Sequence, residues 1–108
     1  MHNYKIIIEY DGTNFVGWQQ QENGKSIQSS IQEALVKLSG EKVTIFGAGR
    51  TDAGVHAYGQ VASFNLNKKI ETDVMRDGLN QHLRPLPIAV QQAELVEDDF
   101  HARFSAKK

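Results

Sequence analysis

The sequence predicts an α+β domain with four β-strands and two α-helices in the order β-α-β-β-α-β. Four short segments are rich in the β-branched, aromatic and other apolar residues typical of strands. Two further segments repeat apolar residues at the spacing of an amphipathic helix. The length of 108 residues fits one domain of common size, and the sequence shows no internal repeat or interdomain linker.

The first strand and the first helix have the clearest patterns. In "YKIIIEY", Tyr4–Tyr10, alternate bulky residues would share one face, which predicts a strand. The segment "DGTNFVGWQQQENGK" then predicts a long loop, because Gly, Asp and Asn favour turns. A helix is predicted to begin after a Ser26 cap and to end at Gly40. Its apolar face comprises Ile27, Ile31, Ala34, Leu35 and Leu38.

The remaining elements complete the order. The segments "KVTIFGA", "QVASFNL" and "IAVQQAEL" predict the second, third and fourth strands. Thr72 is predicted to cap a second helix that ends before "RPLP", because a residue before proline disfavours helical dihedral angles. Its apolar face would comprise Val74, Met75, Leu79 and Leu83. This order predicts the split-βαβ, or ferredoxin-like, arrangement: an antiparallel four-stranded sheet with both helices on one face.

Composition and charge exclude several classes of site. Without cysteine, the chain can form no disulfide, thiolate nucleophile or cysteine-ligated zinc site. It has no apolar run near the roughly 18 residues of a membrane span and no recognisable signal peptide. We therefore expect a soluble, cytoplasmic protein without a membrane partner. The formal charge of −1 indicates no partner, so a nucleic-acid-binding surface would be a local patch or lie outside this chain.

A glycine-rich loop, "GAGRTDAGVHAYGQ", lies between the second and third predicted strands. Gly49 and Gly54 have the first spacing of a phosphate-binding P-loop, but Val55 and His56 follow in place of lysine and a hydroxyl residue. The dinucleotide fingerprint also fails, since Asp52 occupies the position of its third glycine. The histidines are isolated, and no zinc or EF-hand motif appears. We therefore predict no nucleotide cofactor and no metal.

Arg50 and Asp52 are the candidates for chemistry in this loop. In an extended segment, residues two positions apart point the same way. A nearby arginine would keep the aspartate ionised, and a positioned carboxylate can act as a nucleophile or general base. The alternative is a structural ion pair that stabilises the tight connection. A sheet-face RNA reader is disfavoured, because "YGQVASFN" matches only part of the RNA-recognition pattern.

Several blocks of the chain resemble a known family. "GAGRTDAGVHAYGQVASF" resembles the catalytic motif of the tRNA pseudouridine synthase A family. "YDGTNFVGWQQQ", "SIQSSIQEAL", "LNQHLRPLPIAV" and "FHARFSA" resemble its other blocks, so the resemblance covers essentially the whole chain. It implies a cofactor-free isomerase that converts uridine to pseudouridine in the anticodon arm of tRNA. The base would leave its sugar, turn, and rejoin it through carbon.

The resemblance also assigns roles to residues. Asp52 matches the catalytic aspartate, which would attack either ribose C1′ or the uracil ring, and both routes stay open. Arg50 matches an arginine linked to placing the flipped nucleotide. Further substrate-binding positions would be Thr51, Gly54, His56, Tyr58, Asp11, Trp18 and Gln19. For three of these a structural role is the alternative: hydrogen bonding for His56, and packing in the core for Tyr58 and Trp18.

The resemblance places residues 1–108 as the N-terminal, aspartate-bearing domain of a longer enzyme. Family members continue into a similar second half, absent from this chain, whose Arg-x-Tyr element packs a tyrosine on the target base. They are homodimers, and both subunits contact one tRNA. We therefore expect a homodimeric, tRNA-binding full-length protein and an incomplete active site here. The alternatives are a non-catalytic RNA-binding or assembly module and, with less support, a ligand-binding regulatory domain.

Overall fold

The computed structural model describes residues 1–19 and 24–105. These residues form three helices and one antiparallel sheet of four strands. The strands are β1 (His2–Tyr10), β2 (Phe46–Gly47), β3 (Ala57–Leu66) and β4 (Ile88–Val96). The helices are α1 (Ile27–Ser39), α2 (Thr72–Leu83) and α3 (Ala102–Ser105). The strand order β2-β3-β1-β4 confirms the predicted ferredoxin-like arrangement. Residues 20–23, within the loop predicted before α1, lie outside the described ranges.

Helix α1 begins and ends where the sequence predicts. The Ser26 side chain accepts a hydrogen bond from the Ser29 N–H, and the Ser29 hydroxyl oxygen accepts one from the Ser26 N–H, so the two residues form a capping box. At the other end, the Gly40 N–H donates to the Val36 carbonyl in a left-handed cap. The predicted apolar face is largely buried in the core: Ile27, Ile31, Ala34 and Leu35.

Helix α2 differs from the prediction in its cap and in one core residue. Thr72 is its first helical residue, and the preceding Glu71 occupies the cap position without a side-chain hydrogen bond. Met75 is buried as predicted, but Val74 is 51% exposed. Neighbouring residues on a helix point about 100° apart, so a helix that buries Met75 turns Val74 toward solvent. Within the described ranges, no helix is long and apolar enough to cross a membrane.

Strand β2 is much shorter than the predicted segment "KVTIFGA". Only Phe46 and Gly47 pair with β3. Ile45 is buried in the core, but side chains of α1 satisfy its backbone: its N–H donates to Gln32 Oε1 (3.0 Å), and its carbonyl accepts from Gln28 Nε2 (3.0 Å). Those two bonds occupy the N–H and carbonyl of Ile45, which would otherwise pair with a neighbouring strand. An apolar segment next to the sheet therefore runs as a loop anchored on α1.

The main core lies between the sheet and helices α1 and α2. Alternate β1 residues, from Tyr4 to Tyr10, face it together with Ala62, Phe64 and Leu66 of β3. Residues of α1 and α2 belong to the same buried cluster, which confirms that both predicted helices cover one face of the sheet. This core packing fixes the positions of the strand ends, from which the connecting loops extend.

The opposite face of the sheet carries a short helix that the sequence did not predict. Ser63 alternates with the core residues of β3, so its side chain lies on this other face, where its Oγ accepts from the Ala102 N–H (2.9 Å). Asn3 Nδ2 donates to the carbonyls of Glu97 and Phe100 (both 2.8 Å). Residues 97–105 therefore cross this face and place α3 against β2 and β3.

Replacing Tyr4 by phenylalanine is expected to destabilise the fold by about 1–3 kcal/mol, because a buried backbone pair would lose its partner. Tyr4 is 0% exposed, and its hydroxyl donates to the Ile70 carbonyl (2.6 Å) and accepts from the Ile70 N–H (2.7 Å). Urea denaturation measures the change in the free energy of unfolding. Tyr58→Phe, at an exposed hydroxyl, is the matched control, and equal losses in both variants would contradict this role of Tyr4.

Candidate functional site

The aspartate loop, residues 48–56, connects β2 to β3 and carries Asp52. It lies against the β1–α1 loop, whose described residues are 11–19 and 24–26. Backbone donors of the β1–α1 loop and the aspartate loop join the two: Trp18 N–H to the Thr51 carbonyl (3.0 Å), Gly54 N–H to the Phe15 carbonyl (3.3 Å) and Gly12 N–H to His56 Nδ1 (2.9 Å). The β1–α1 loop therefore holds the backbone on both sides of Asp52.

Two glycines of the β1–α1 loop allow this close approach. A Cβ atom on Gly12 would lie 1.9 Å from the Val55 carbonyl oxygen, far inside van der Waals contact. Gly17 has φ of 107°, and a Cβ atom there would lie 2.5 Å from the Thr51 carbonyl oxygen. A side chain at either position would push the aspartate loop away, so the glycines determine where the backbone of Asp52 lies.

Asp52 itself is exposed at the surface of the loop. Its backbone carbonyl accepts from the Val55 N–H (3.1 Å), which closes a turn that begins at Asp52. Within the part of the chain that the structure describes, no ion pair joins its carboxylate to Arg50. Among the described residues, therefore, neither the structural ion pair nor the arginine partner that was expected to keep Asp52 ionised is present. The loop instead presents the carboxylate to solvent, where a ligand can reach it.

Thr51 is held by Tyr10, which the sequence pattern predicts only as a residue of the sheet. A hydrogen bond of 2.8 Å joins Thr51 Oγ1 to the hydroxyl of Tyr10, at the end of β1. Burial raises the pKa of Tyr10 above its ordinary value, and the bond to Thr51 offsets only part of that. The phenol therefore stays protonated at neutral pH and keeps this bond. Its large ring at a strand end was the only sequence signal for such a role.

His56 forms a hydrogen bond within the protein, which is the structural role that the sequence left open for it. Its Nδ1 accepts from the Gly12 N–H, and Asp11 Oδ1 lies 3.2 Å from the same nitrogen. One nitrogen cannot accept from Gly12 and donate to Asp11 at once, and the Gly12 bond requires the neutral tautomer with its proton on Nε2. Asp11 instead accepts from the Thr13 hydroxyl and N–H, which are the main causes that lower its pKa.

The histidine cleft is a depression of about 610 Å³ lined by residues 9–11, 56–58 and 86–89. It brings together three predicted site residues, Asp11, His56 and Tyr58. Tyr58 is 83% exposed, so the alternative that it packs in the core is wrong. An exposed ring beside an open cleft can stack on a base. Among the described residues, no group of three metal-ligating side chains comes together.

The arginine cleft is smaller, about 180 Å³, and is lined by Arg50, Arg103, Trp18, Gln19, Gln28 and residues 45–47. Arg50 and Gln19 are exposed there, so a ligand can reach both side chains. Trp18 is only 3% exposed and belongs to the hydrophobic core. It therefore has the structural role that the sequence left open, which is packing in the core. Arg103 was missed, because its only sequence signal was its place in the block "FHARFSA". Asp52 lines neither cleft and lies on the loop that runs from one to the other.

Comparison with known proteins assigns the chain to a family. A family model of tRNA pseudouridine synthase matches residues 6–105. The tRNA pseudouridine synthase A of Afipia carboxidovorans is 56% identical over 108 residues, and that of Wolbachia pipientis wMel is 57% identical over 106. The matches cover 100% and 97% of this chain, which spans only 44% and 43% of those relatives. The chain therefore belongs to the tRNA pseudouridine synthase family.

Proposed function

We propose that this chain is the aspartate-bearing part of an enzyme that isomerises uridine to pseudouridine in tRNA. The observation that carries the proposal is the exposed Asp52 on a loop clamped by the β1–α1 loop, in a chain of this family. The relatives named above are tRNA pseudouridine synthases, which supports tRNA as the substrate. Because the chain spans less than half of their length, the activity belongs to the longer protein.

Asp52 is proposed as the nucleophile. Its carboxylate would form a covalent bond either to ribose C1′ or to the uracil ring. In either route the bond between uracil N1 and C1′ breaks, and a bond between C5 and C1′ forms. The C5 proton passes to solvent, N1 gains a proton, and the carboxylate is regenerated. Uridine and pseudouridine are isomers, so the reaction requires no net oxidant or reductant.

The two clefts support different contacts with the substrate, one for each cleft. A stacked base cannot reach Asp52, so the target nucleotide must leave the helix at a cost of a few kcal/mol. Arg50 in the arginine cleft is proposed to place the flipped nucleotide, and Gln19 lines the same cleft. Tyr58 is proposed to stack on a base at the histidine cleft, which Asp11 and His56 also line. Thr51 and Gly54 would act through the loop backbone.

The complete protein is proposed to close the site from a second side. Asp52 and both clefts lie open in this chain, which supports a further wall supplied by the rest of the enzyme. The family resemblance supports a homodimer, and we propose that this homodimer works in the cytoplasm. Residues 1–108 alone would then bind the target nucleotide poorly and would lack the group that presses the base toward Asp52.

A hybrid enzyme tests this function. It joins residues 1–108 to the remainder of the Afipia carboxidovorans relative, whose matching part is 56% identical. We expect the hybrid to release tritium from tRNA labelled at uridine C5, and the chain alone to release it at least about a hundredfold more slowly. Comparable rates would contradict the need for the second part. A folded hybrid that binds tRNA without releasing tritium would contradict the enzyme and support an RNA-binding module.

A further inference from the structure

Two arginines from distant parts of the chain meet in the arginine cleft. Arg50 lies two residues before Asp52 on the aspartate loop, and Arg103 lies in α3. The Ala102 N–H, bonded to Ser63 Oγ at 2.9 Å, anchors α3 to the sheet. Next to it, the ring of His101 lies 4.6 Å from the ring of Phe46, which lines the same cleft. Backbone and ring contacts thus hold Arg103 beside the cleft.

The charge of this cleft is unbalanced. Its other described lining residues are all neutral, so, within residues 1–19 and 24–105, two arginines line the wall without a carboxylate beside them. Across residues 1–19 and 24–105, neither arginine forms an ion pair. Two like charges lining one cleft repel each other, and an anion between them would convert that repulsion into attraction. The cleft therefore favours a negatively charged ligand.

The nearby helix terminus does not supply this anion site. The first N–H groups of α1 are already used: Ile27 donates to the Gly17 carbonyl (3.1 Å), and Gln28 donates to the Trp18 carbonyl (3.0 Å). The side chain of Gln28 donates to the Ile45 carbonyl. Anion binding would therefore depend on the two guanidinium groups. Their planar, forked donors match the oxygens of a phosphate group.

The position of the cleft indicates which phosphate it would take. Arg50 is two residues from Asp52, a backbone separation of at most about 7 Å. Phosphodiester groups flank every ribose of an RNA strand, so a nucleotide whose sugar or base reaches Asp52 brings one near this cleft. We propose that Arg50 and Arg103 together bind an RNA phosphodiester adjacent to the target nucleotide. The identification of the strand as RNA rests on the proposed function, whereas the anion site rests on the cleft.

The test compares tRNA binding by the hybrid enzyme and its Arg103→Gln variant over a series of salt concentrations. We expect Arg103→Gln to weaken binding about tenfold and to reduce the slope of log affinity against log salt by about 0.7–0.9, the effect of one lost phosphate contact. Turnover at saturating tRNA should change little, because Arg103 contacts no reacting atom. Arg103→Lys keeps the charge without the fork and should retain the slope while losing part of the affinity.

Arg76→Gln is the matched control, since it removes the same charge from α2, on the other face of the sheet. It should leave the affinity and the salt slope unchanged. An Arg103→Gln variant that behaves like this control would overturn the phosphodiester site, even if the hybrid releases tritium normally. Conversely, a hybrid that shows the slope change but never releases tritium would keep the site and overturn the enzymatic function.

Discussion

Replacing Asp52 by asparagine is expected to abolish uridine isomerisation by the hybrid enzyme, with a loss of at least about a thousandfold in turnover. An amide of the same shape cannot form the covalent bond that the proposed mechanism requires. The side chain is exposed, so the free energy of unfolding should change by less than about 0.5 kcal/mol. Tritium release at saturating tRNA measures the first effect, and urea denaturation measures the second.

Asp98→Asn provides the control for the Asp52 variant, because it removes the same charge from another exposed position. Its turnover should match that of the unmodified hybrid. Both variants should bind tRNA within about threefold of the unmodified enzyme, since one carboxylate contributes little to a phosphate-dominated interaction. Normal turnover in Asp52→Asn would remove this aspartate from the mechanism.

Replacing Gly12 by alanine is expected to destabilise the fold by about 2–4 kcal/mol and to reduce turnover of the hybrid as well. The new Cβ atom would lie 1.9 Å from the Val55 carbonyl oxygen, a backbone atom that can yield only if the aspartate loop moves. Such movement would also strain the hydrogen bond from the Gly12 N–H to His56. Denaturation of the variant measures the loss of stability, and tritium release measures the displacement of Asp52.

Gly59→Ala is the matched control for Gly12→Ala. A Cβ atom at Gly59 would meet only Ile7 Cγ2, at 4.0 Å, which is an ordinary contact. Its free energy of unfolding should therefore stay within about 1 kcal/mol of the parent chain. If Gly12→Ala proved as stable and as active as Gly59→Ala, the close packing of the two loops would not position Asp52.

Local patterns predicted most of the secondary structure, and non-local contacts explain where they failed. Helix α1 was predicted closely because its caps, Ser26 and Gly40, act within four residues of the groups they bond. Strand β2 was overestimated because Gln28 and Gln32 of α1 bond the backbone of Ile45. The composition of "KVTIFGA" predicts a strand, but that composition carries no information about Gln28 and Gln32.

In the candidate site, too, some features could be predicted from the sequence and others could not. The motif around Asp52 indicated the aspartate and Arg50 as functional residues, through its resemblance to a family. Whether Trp18 and Tyr58 lie in the core or at the surface could not be decided from residue type, because large aromatic rings occur in both places. The structure buries Trp18 against Gly47 and exposes Tyr58 beside the histidine cleft.

The amino-acid sequence by itself determined the order of the four strands and the two longer helices, the ends of α1 and the loop that carries Asp52. Those features depend on periodicity, capping and motifs, which extend over a few neighbouring residues. Only the tertiary structure decided that α3 folds onto the opposite face of the sheet and that Arg103 joins Arg50. The physical reason is distance along the chain: the contacts that hold Arg103 there connect residues of α3 with β2 and β3, and no local pattern encodes them.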